Sequence, residues 1–431
     1  MRILVVGINY APDLIGVAKY TTELCEALAS FGHEVHVVTA PPYYPGWNIP
    51  TDYRSLVYRS AKTNDVQITR VPIYVPRIPT GAKRLIHHAS FAISSSWPVL
   101  SASLRWRPDV IFAVAPSLMS AAIPSWIGRR VGAFTWLHLQ DFEIDAAFDL
   151  GLLSNKRLRD TMVAIEHRIL RSFDCVSTIS PRMTGRLAAK GVDRESIREL
   201  RNWTDTDQFV EMSTNSLEFR REHLGLDYSH FVCLYSGTIS HKQGLELIID
   251  AARSVNGQGS MVRFVICGEG PHKASLKSAA AGLNNVQFLA LQEQRRFFEL
   301  LRATDVHLIP QRAEAADLVL PSKIGAILAS GKPSIVMASE GTGLAEEIGK
   351  GGLLVSPGDV GQLVAAVTML AKNPTLCRSL GEEARRLALS RWDKKLILSD
   401  LNELLKSVRG NTPPNADSLE VSSGPYCLPR N

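Results

Sequence analysis

A short apolar strand, a turn, an amphipathic helix and another strand follow one another in the first forty residues, and the same rhythm starts again after about residue 230. No other feature restricts the fold as much. "ILVVGI" leads through "NYAPDLIG" into "VAKYTTELCEALASF" and then "HEVHVVT". Tyr20, Leu24, Ala27, Leu28 and Phe31 share one helical face, and Gly32 ends the helix as a C-terminal glycine does. The runs "VIFAV", "AFTWL" and "CVSTI" continue the pattern, and "FVCLYSG", "VRFVICGEG", "DVHLIP" and "SIVMA" repeat it. Apolar strands alternating with helices form parallel sheets covered on both faces. The expected class is therefore α/β, with two Rossmann-like doubly wound parallel-sheet domains facing an interdomain cleft. They join near Arg201–Phe209, where polar turn formers interrupt the pattern. The expected first domain spans 1–205 and is joined by C-terminal helices at about 390–408, and the second spans 206–389. The last stretch, 410–431, is rich in Pro, Ser and Asn without periodicity and reads as a disordered tail.

Composition removes several function classes. With 431 residues and 45% hydrophobic content the chain can fill more than one core. A net charge of +6 is mild, and no Lys/Arg-rich segment with interleaved aromatics appears, so a nucleic-acid partner is not expected. Six scattered cysteines with no CxxC pair, and no histidines clustered in sequence, argue against a zinc site or a disulfide framework and fit a reducing compartment. "MRILVVGINY" has too short an apolar run for a signal peptide and reads as a first buried strand. Two uncharged windows, Leu85–Leu104 and Val110–Gly128, are interrupted by serines, histidines or prolines, and no transmembrane helix is expected.

Ligands of doubly wound sheets bind beyond the carboxyl ends of the strands, near a topological switch point. Turns at such strand ends carry the candidate residues. Gly16 opens the first helix, where unpaired N–H groups favour an anion. In the second half "YSGTISHKQG" supplies Gly237, Thr238, Lys242 and Gln243. "ICGEGPHK" supplies Gly268 and Gly270, and "VLPSKIGAIL" places Ser322 and Lys323 at a third helix start. Turns from one sheet that converge on one edge suit a nucleotide with a diphosphate, because glycine lets the backbone approach closely.

The order of "YAPDLIG", "GHEVHVVT", "RNWTDTDQF", "SGTISHKQG", "CGEGP", "PSKIGAILASGKPSI", "GLLVSPGD" and "SRWDKKL" resembles the retaining GT-B glycosyltransferases of family 4 over roughly residues 1–408, in the exopolysaccharide branch that includes colanic-acid-type transferases. The resemblance implies a nucleotide-sugar donor bound mainly by the C-terminal domain, with a GDP-sugar favoured over a UDP-sugar. It also implies an acceptor bound mainly by the N-terminal domain and no obligatory metal or other cofactor. Carried over, Gly16 falls near the donor phosphates and His138 in "TWLHLQD" faces the transferred sugar. Asp141 is the nearest carboxylate, placed to orient that histidine or touch the acceptor. Two departures stand out. Thr238 and Gln243 replace the family's basic pair, which leaves Lys323 as the counter-charge for the diphosphate. Leu318 and Ala326 replace two glutamates eight residues apart, and Asp317 or Glu314 is the nearest substitute for the sugar-facing one. A non-catalytic nucleotide-sugar-binding subunit therefore stays open as an alternative to a transferase, and an epimerase on the same fold as a third.

Between Asp65 and Asp109 no acidic residue occurs, while Arg70, Arg77, Lys83, Arg84, Arg105 and Arg107 lie among Leu85, Ile86, Phe91, Ile93, Trp97, Leu100, Leu104 and Trp106. Basic and aromatic residues around an apolar stretch suit a helix seated on an anionic membrane surface. That placement, peripheral at the inner face of the cytoplasmic membrane, would bring the enzyme to a lipid-linked saccharide acceptor.

Overall fold

The computed structural model describes residues 1–13, 16–142, 156–211, 216–257, 261–312 and 321–409. The expected tail at 410–431, and Glu314, Asp317 and Leu318, lie outside these described residues. Two compact units emerge. One is Met1–Asn202 together with the chain from Ile397, and the other is Trp203–Leu396.

The first unit is built on an eight-stranded sheet of β1 (Arg2–Gly7), β2 (Glu34–Thr39), β3 (Arg59–Thr63), β4 (Val66–Arg70), β5 (Val110–Ala115), β6 (Phe134–Leu139), β7 (Cys175–Thr178) and β8 (Ile197–Glu199), in the order β3-β4-β2-β1-β5-β6-β7-β8. Every pairing is parallel except β3 with β4. All six residues of β5 are buried, the continuous apolar run of a strand covered on both faces. β3, "RSAKT", is exposed throughout. It is an edge strand whose charges discourage further pairing, and no apolar alternation announces it. Because the chain runs from β1 out to β2 and returns to β5, the switch point of this sheet lies between β1 and β5.

Helix α1 (Val17–Ser30) follows β1, α2 (Gly81–Arg105) precedes β5, and α3 (Leu118–Val131) follows it. Gly16 is the N-cap of α1 at φ 63°, ψ −136°, a conformation that a β-carbon disfavours. The C-terminal helix Lys394–Arg409 is tied to this unit through Asn402, whose Oδ1 lies 2.7 Å from His33 Nε2.

In the second unit a six-stranded, wholly parallel sheet runs β11-β10-β9-β12-β13-β14. Its strands are β9 (Phe231–Ser236), β10 (Val262–Cys267), β11 (Val286–Leu289), β12 (Val306–Pro310), β13 (Ser334–Met337) and β14 (Gly352–Val355). Two apolar clusters cover its faces. One is centred on Val232, Leu234, Val265, Leu300 and Ile324, the other on Cys233, Phe264, Ile266, Ile248 and Leu363. The chain leaves β9 toward β10 and β11 and returns to β12, so the switch point lies between β9 and β12. Both sheets are doubly wound, as the alternation of strands and helices requires.

Candidate functional site

The turn after β9 and the loop after β10 are zipped together as an extension of the sheet. Gly237 N–H donates to Cys267 O at 3.0 Å and Ile239 N–H to Glu269 O at 2.9 Å, while His272 N–H returns to Ile239 O at 3.2 Å. This closeness explains both glycines in "CGEGP". A β-carbon on Gly268 would stand 1.9 Å from Gly237 O, and one on Gly270 2.1 Å from Ile239 O. Tyr235 adds a brace by donating its hydroxyl proton to Thr238 O at 2.8 Å. Thr238 itself is exposed. Gln243 is turned inward, its amide oxygen accepting from Ser240 Oγ, so it holds the turn's shape. The backbone of Lys242 lies in the one-turn helix His241–Gln243, which ends at Gly244 in the left-handed conformation.

Lys323 is the N-cap of the helix Ile324–Ala329. Six residues make a weak dipole, so the expected charge at this position comes from the lysine side chain more than from the helix start. Its ammonium sits 4.9 Å from the centroid of the Phe297 ring, close enough to Cys267 at the end of β10 for the two to interact. Burial lowers its pKa, and the Cys267 thiol acts weakly in the opposite sense. Among the described residues it makes no ion pair and no side-chain hydrogen bond. A half-buried cation held by an aromatic face, with no carboxylate on it, is chemically ready for an anion. Ser322 beside it is exposed, and Ala326, at the position of the second family glutamate, is packed in the core.

Sequence reasoning missed Arg312. It follows β12 at the β9/β12 switch point, where its aliphatic stem lies 3.1 Å from the position a β-carbon on Gly244 would take. One guanidinium nitrogen donates to Glu246 Oε2 at 3.2 Å, while Nε is buried without a hydrogen-bond partner among the described residues. Arg312 thus puts a guanidinium, ion-paired to Glu246, beside the turn that lacks the basic pair. The available signal was the strand end "LIPQR", but only the strand order shows that this end adjoins Gly244. A roomy cavity of this unit lies elsewhere. It measures about 720 Å³ and is lined by Ser229, Asp305, Lys332 and Arg378, at the amino ends of β9 and β12, the wrong edge of the sheet for a ligand of a doubly wound fold.

In the first unit His138 occupies β6 and is buried. Its Nδ1 lies 2.9 Å from Ser177 Oγ, which also accepts from Trp136 Nε1 at 2.7 Å. Gln140 and Asn202 form a reciprocal amide pair, with Asn202 Nδ2 to Gln140 Oε1 at 2.9 Å and Gln140 Nε2 to Asn202 Oδ1 at 3.0 Å. Gln140 Nε2 also lies 2.9 Å from His138 Nε2. Burial pushes the ring's pKa down to about 3, so it is neutral near pH 7. Both nitrogens are already paired, a satisfied histidine that the family resemblance alone does not reveal. Asp141, just beyond β6, is exposed, although neighbouring atoms crowd its carboxyl and raise its pKa. Gly16 has open space where a side chain would be.

The membrane-facing expectation divides. Arg70 belongs to the fold and not to a basic surface, since its guanidinium donates to Ala40 O at 2.9 Å and to Ala11 O at 2.5 Å. Phe91 is buried, Leu100 half-buried, and Trp106 donates Nε1–H to Glu34 Oε2. Ile86, Ile93, Trp97 and Leu104 remain exposed, at 56, 75, 60 and 60%. At about 100° per residue they form one straight stripe along α2. Lys83, Arg84, Arg105 and Arg107 are exposed at its two ends. No described helix is long and apolar enough to cross a membrane.

Residues 16–203 match a family model described as a glycosyl transferase 4-like domain, and residues 230–373 match one described as glycosyl transferases group 1. The chain is 39% identical over 421 residues to the putative colanic acid biosynthesis glycosyl transferase WcaI of Escherichia coli (strain K12), covering 95% of this chain and 100% of that one. It is 20% identical over 412 residues to the N-acetyl-alpha-D-glucosaminyl L-malate synthase of Bacillus anthracis, covering 94% and 97%. Among solved structures it is similar to the sucrose-phosphate synthase of Thermosynechococcus elongatus, with TM-score 0.69, 18% identity and coverage of 96% and 100%. HepE of Anabaena, solved in complex with UDP-glucose, gives TM-score 0.64, 16% identity and coverage of 94% and 100%. These neighbours share the GT-B fold.

Proposed function

The chain belongs to the GT-B glycosyltransferases of family 4, and from that premise we propose that it moves a sugar, with retention, from a nucleotide sugar to a lipid-linked saccharide in the assembly of a colanic-acid-type exopolysaccharide. The reaction class follows from the family. The donor, the acceptor and the stereochemistry are the proposal.

The observation that carries the donor half is Lys323, a half-buried ammonium without an ion pair among the described residues, at the carboxyl edge of the second sheet. The guanidinium of Arg312, paired to Glu246, and the tightly apposed glycine loops add hydrogen-bond donors and close backbone approach at the same edge. Stabilising the growing charge on a leaving diphosphate is the work such groups do best, and fixed charge in a partly desolvated site is often the largest catalytic contribution. With no glutamate at 326, the leaving phosphate oxygen itself takes the acceptor's proton on the face it departs from, so retention needs no carboxylate base. Gly237, Thr238, Gly268 and Gly270 frame the nucleotide, and Ser322 adds a hydroxyl donor. A metal is not obligatory in this scheme. The proposed donor is a GDP-sugar, on branch resemblance; HepE was solved with UDP and UDP-glucose.

His138 requires one adjustment. For it to hold a sugar hydroxyl, Gln140 has to release Nε2, which then hydrogen-bonds the hydroxyl as part of a neutral imidazole. The exposed stripe of α2 with its flanking basic residues supports an anionic membrane surface as the place where the lipid-linked acceptor is met.

The test is incubation of the purified chain with radiolabelled GDP- and UDP-sugars and a membrane extract, alongside calorimetry with GDP, UDP and ADP. Label entering the lipid fraction, with tightest binding of GDP, is the expected outcome. Label transferred only to a water-soluble acceptor would overturn the lipid-linked reading, and tighter UDP binding would overturn the GDP assignment.

A further inference from the structure

The sequence separates His241, Glu246 and His272, and the fold gathers them. His241 lies in the turn after β9, Glu246 opens the helix Glu246–Ser254, and His272 comes from the loop after β10. One ligating atom from each lies within 4.8 Å of the others. His241 Nδ1 is 3.5 Å from Glu246 Oε1, and the two imidazole rings are 4.9 Å apart between centroids, tilted by 51°. Around a tetrahedral zinc ion, donors at about 2.0–2.1 Å from the metal are roughly 3.3 Å from each other. The histidine–carboxylate pair is already near that spacing, and the second ring closes the set by a small side-chain rotation.

The surroundings prepare each ligand. Ser275 Oγ donates its proton to His272 O at 2.9 Å, so toward His272 Nδ1, 3.1 Å away, it acts as acceptor. The Nδ1–H tautomer is thereby selected and Nε2 keeps its lone pair for a metal. Glu246 Oε2 accepts from Arg312, which leaves Oε1 toward the histidines. The hydrogen bonds that tie Ile239 to Glu269 and to His272 fix the two ligand-bearing segments against each other before any ion arrives.

We propose that His241, Glu246 and His272 form a binding site for a transition-metal dication of the zinc class, with water in the fourth position. Two imidazoles select such an ion over magnesium or calcium, which prefer all-oxygen sets. A bound ion cross-links the turn after β9 to the loop after β10. Its occupancy is not a requirement for glycosyl transfer, and the site stands or falls independently of the donor assignment.

Untagged full-length protein titrated with Zn²⁺ by calorimetry, and with Co²⁺ by visible absorption, tests this directly. The expected result is one equivalent bound with the intense bands of low-coordinate cobalt, and little competition from excess Mg²⁺. His241→Ala and His272→Ala should each weaken binding roughly tenfold or more, and Ser275→Ala should also weaken it, since outer partners are worth about 10–100-fold. All three positions are at least partly exposed, and circular dichroism checks that the variants fold. Absence of binding, or binding unchanged in the folded His241→Ala/His272→Ala double variant, would overturn the proposal.

Discussion

Lys323 and His138 are both desolvated, and their partners give them different parts. The ammonium of Lys323 faces an aromatic ring and, among the described residues, no carboxylate, which suits it to an arriving diphosphate as counter-charge. Lys323→Ala is expected to weaken nucleoside-diphosphate binding by tenfold or more, about 1.4 kcal/mol or above. Turnover should fall further because charge on the leaving group grows in the transition state, and Lys323→Arg should regain part of the affinity. Calorimetry with GDP and UDP reads the first effect and initial rates the second; unchanged values in the alanine variant would shift the role to Arg312. His138 is already paired on both nitrogens. Removing it leaves Ser177 and Gln140 short of a buried partner, which costs about 1–3 kcal/mol. His138→Ala should therefore unfold at lower urea and also turn over more slowly at saturating donor. A variant with the stability loss but a normal rate per folded molecule would make the histidine purely structural.

At the level of elements, the clamp between the turn after β9 and the loop after β10 leaves no room for side chains. Gly270→Ala puts a methyl 2.1 Å from a carbonyl oxygen held by its own hydrogen bond. The expected cost is about 1–3 kcal/mol, the usual range for overpacking or forced backbone strain. Gly257→Ala, with nothing within 4 Å, serves as a neutral control. Thermal unfolding of the two variants decides the matter, and equal midpoints would refute the clamp. Much of this region was legible beforehand. Strands such as β5 and β9 declare themselves as continuous apolar runs because both faces are covered, and the glycines mark where they end. Other features were hidden for physical reasons. β3 has no buried face to imprint a pattern. Arg312 and the His241–Glu246–His272 cluster depend on strand order, which brings together residues that sequence spacing keeps apart. The pairing of His138 depends on an amide from Asn202, far along the chain.

Across the whole chain, two sets of side chains respond to solution conditions. His138 and His307 are buried in different units, and burial is the main cause that pushes each pKa down to about 3. The folded state keeps both rings neutral, while the unfolded chain protonates them near the ordinary value of about 6.5. Their contribution is thus complete above about pH 6.5 and is withdrawn as pH falls toward 3, at up to about 1.4 kcal/mol per pH unit for each ring. Melting temperatures recorded from pH 7 to 4.5 should drop, and His307→Gln should flatten the slope; a slope unchanged in that variant would remove His307 from the account. The second set is the surface of α2. Ile93 and Trp97 lie in the middle of the exposed stripe, and Lys83, Arg84, Arg105 and Arg107 lie at its ends. Apolar burial contributes part of the attraction to a bilayer, too little to hold the protein alone, and each basic residue near an anionic surface adds about 1 kcal/mol that salt screens. The intact protein should sediment with phosphatidylglycerol-containing vesicles at low salt, less so as salt rises, and little with neutral vesicles. Serine at the four basic positions should abolish the salt dependence, whereas Ile93→Ser with Trp97→Ser should lower binding at every salt concentration. Because these side chains are exposed, folding should survive both changes. Undiminished sedimentation of the two variants would place the membrane contact on another face of the molecule.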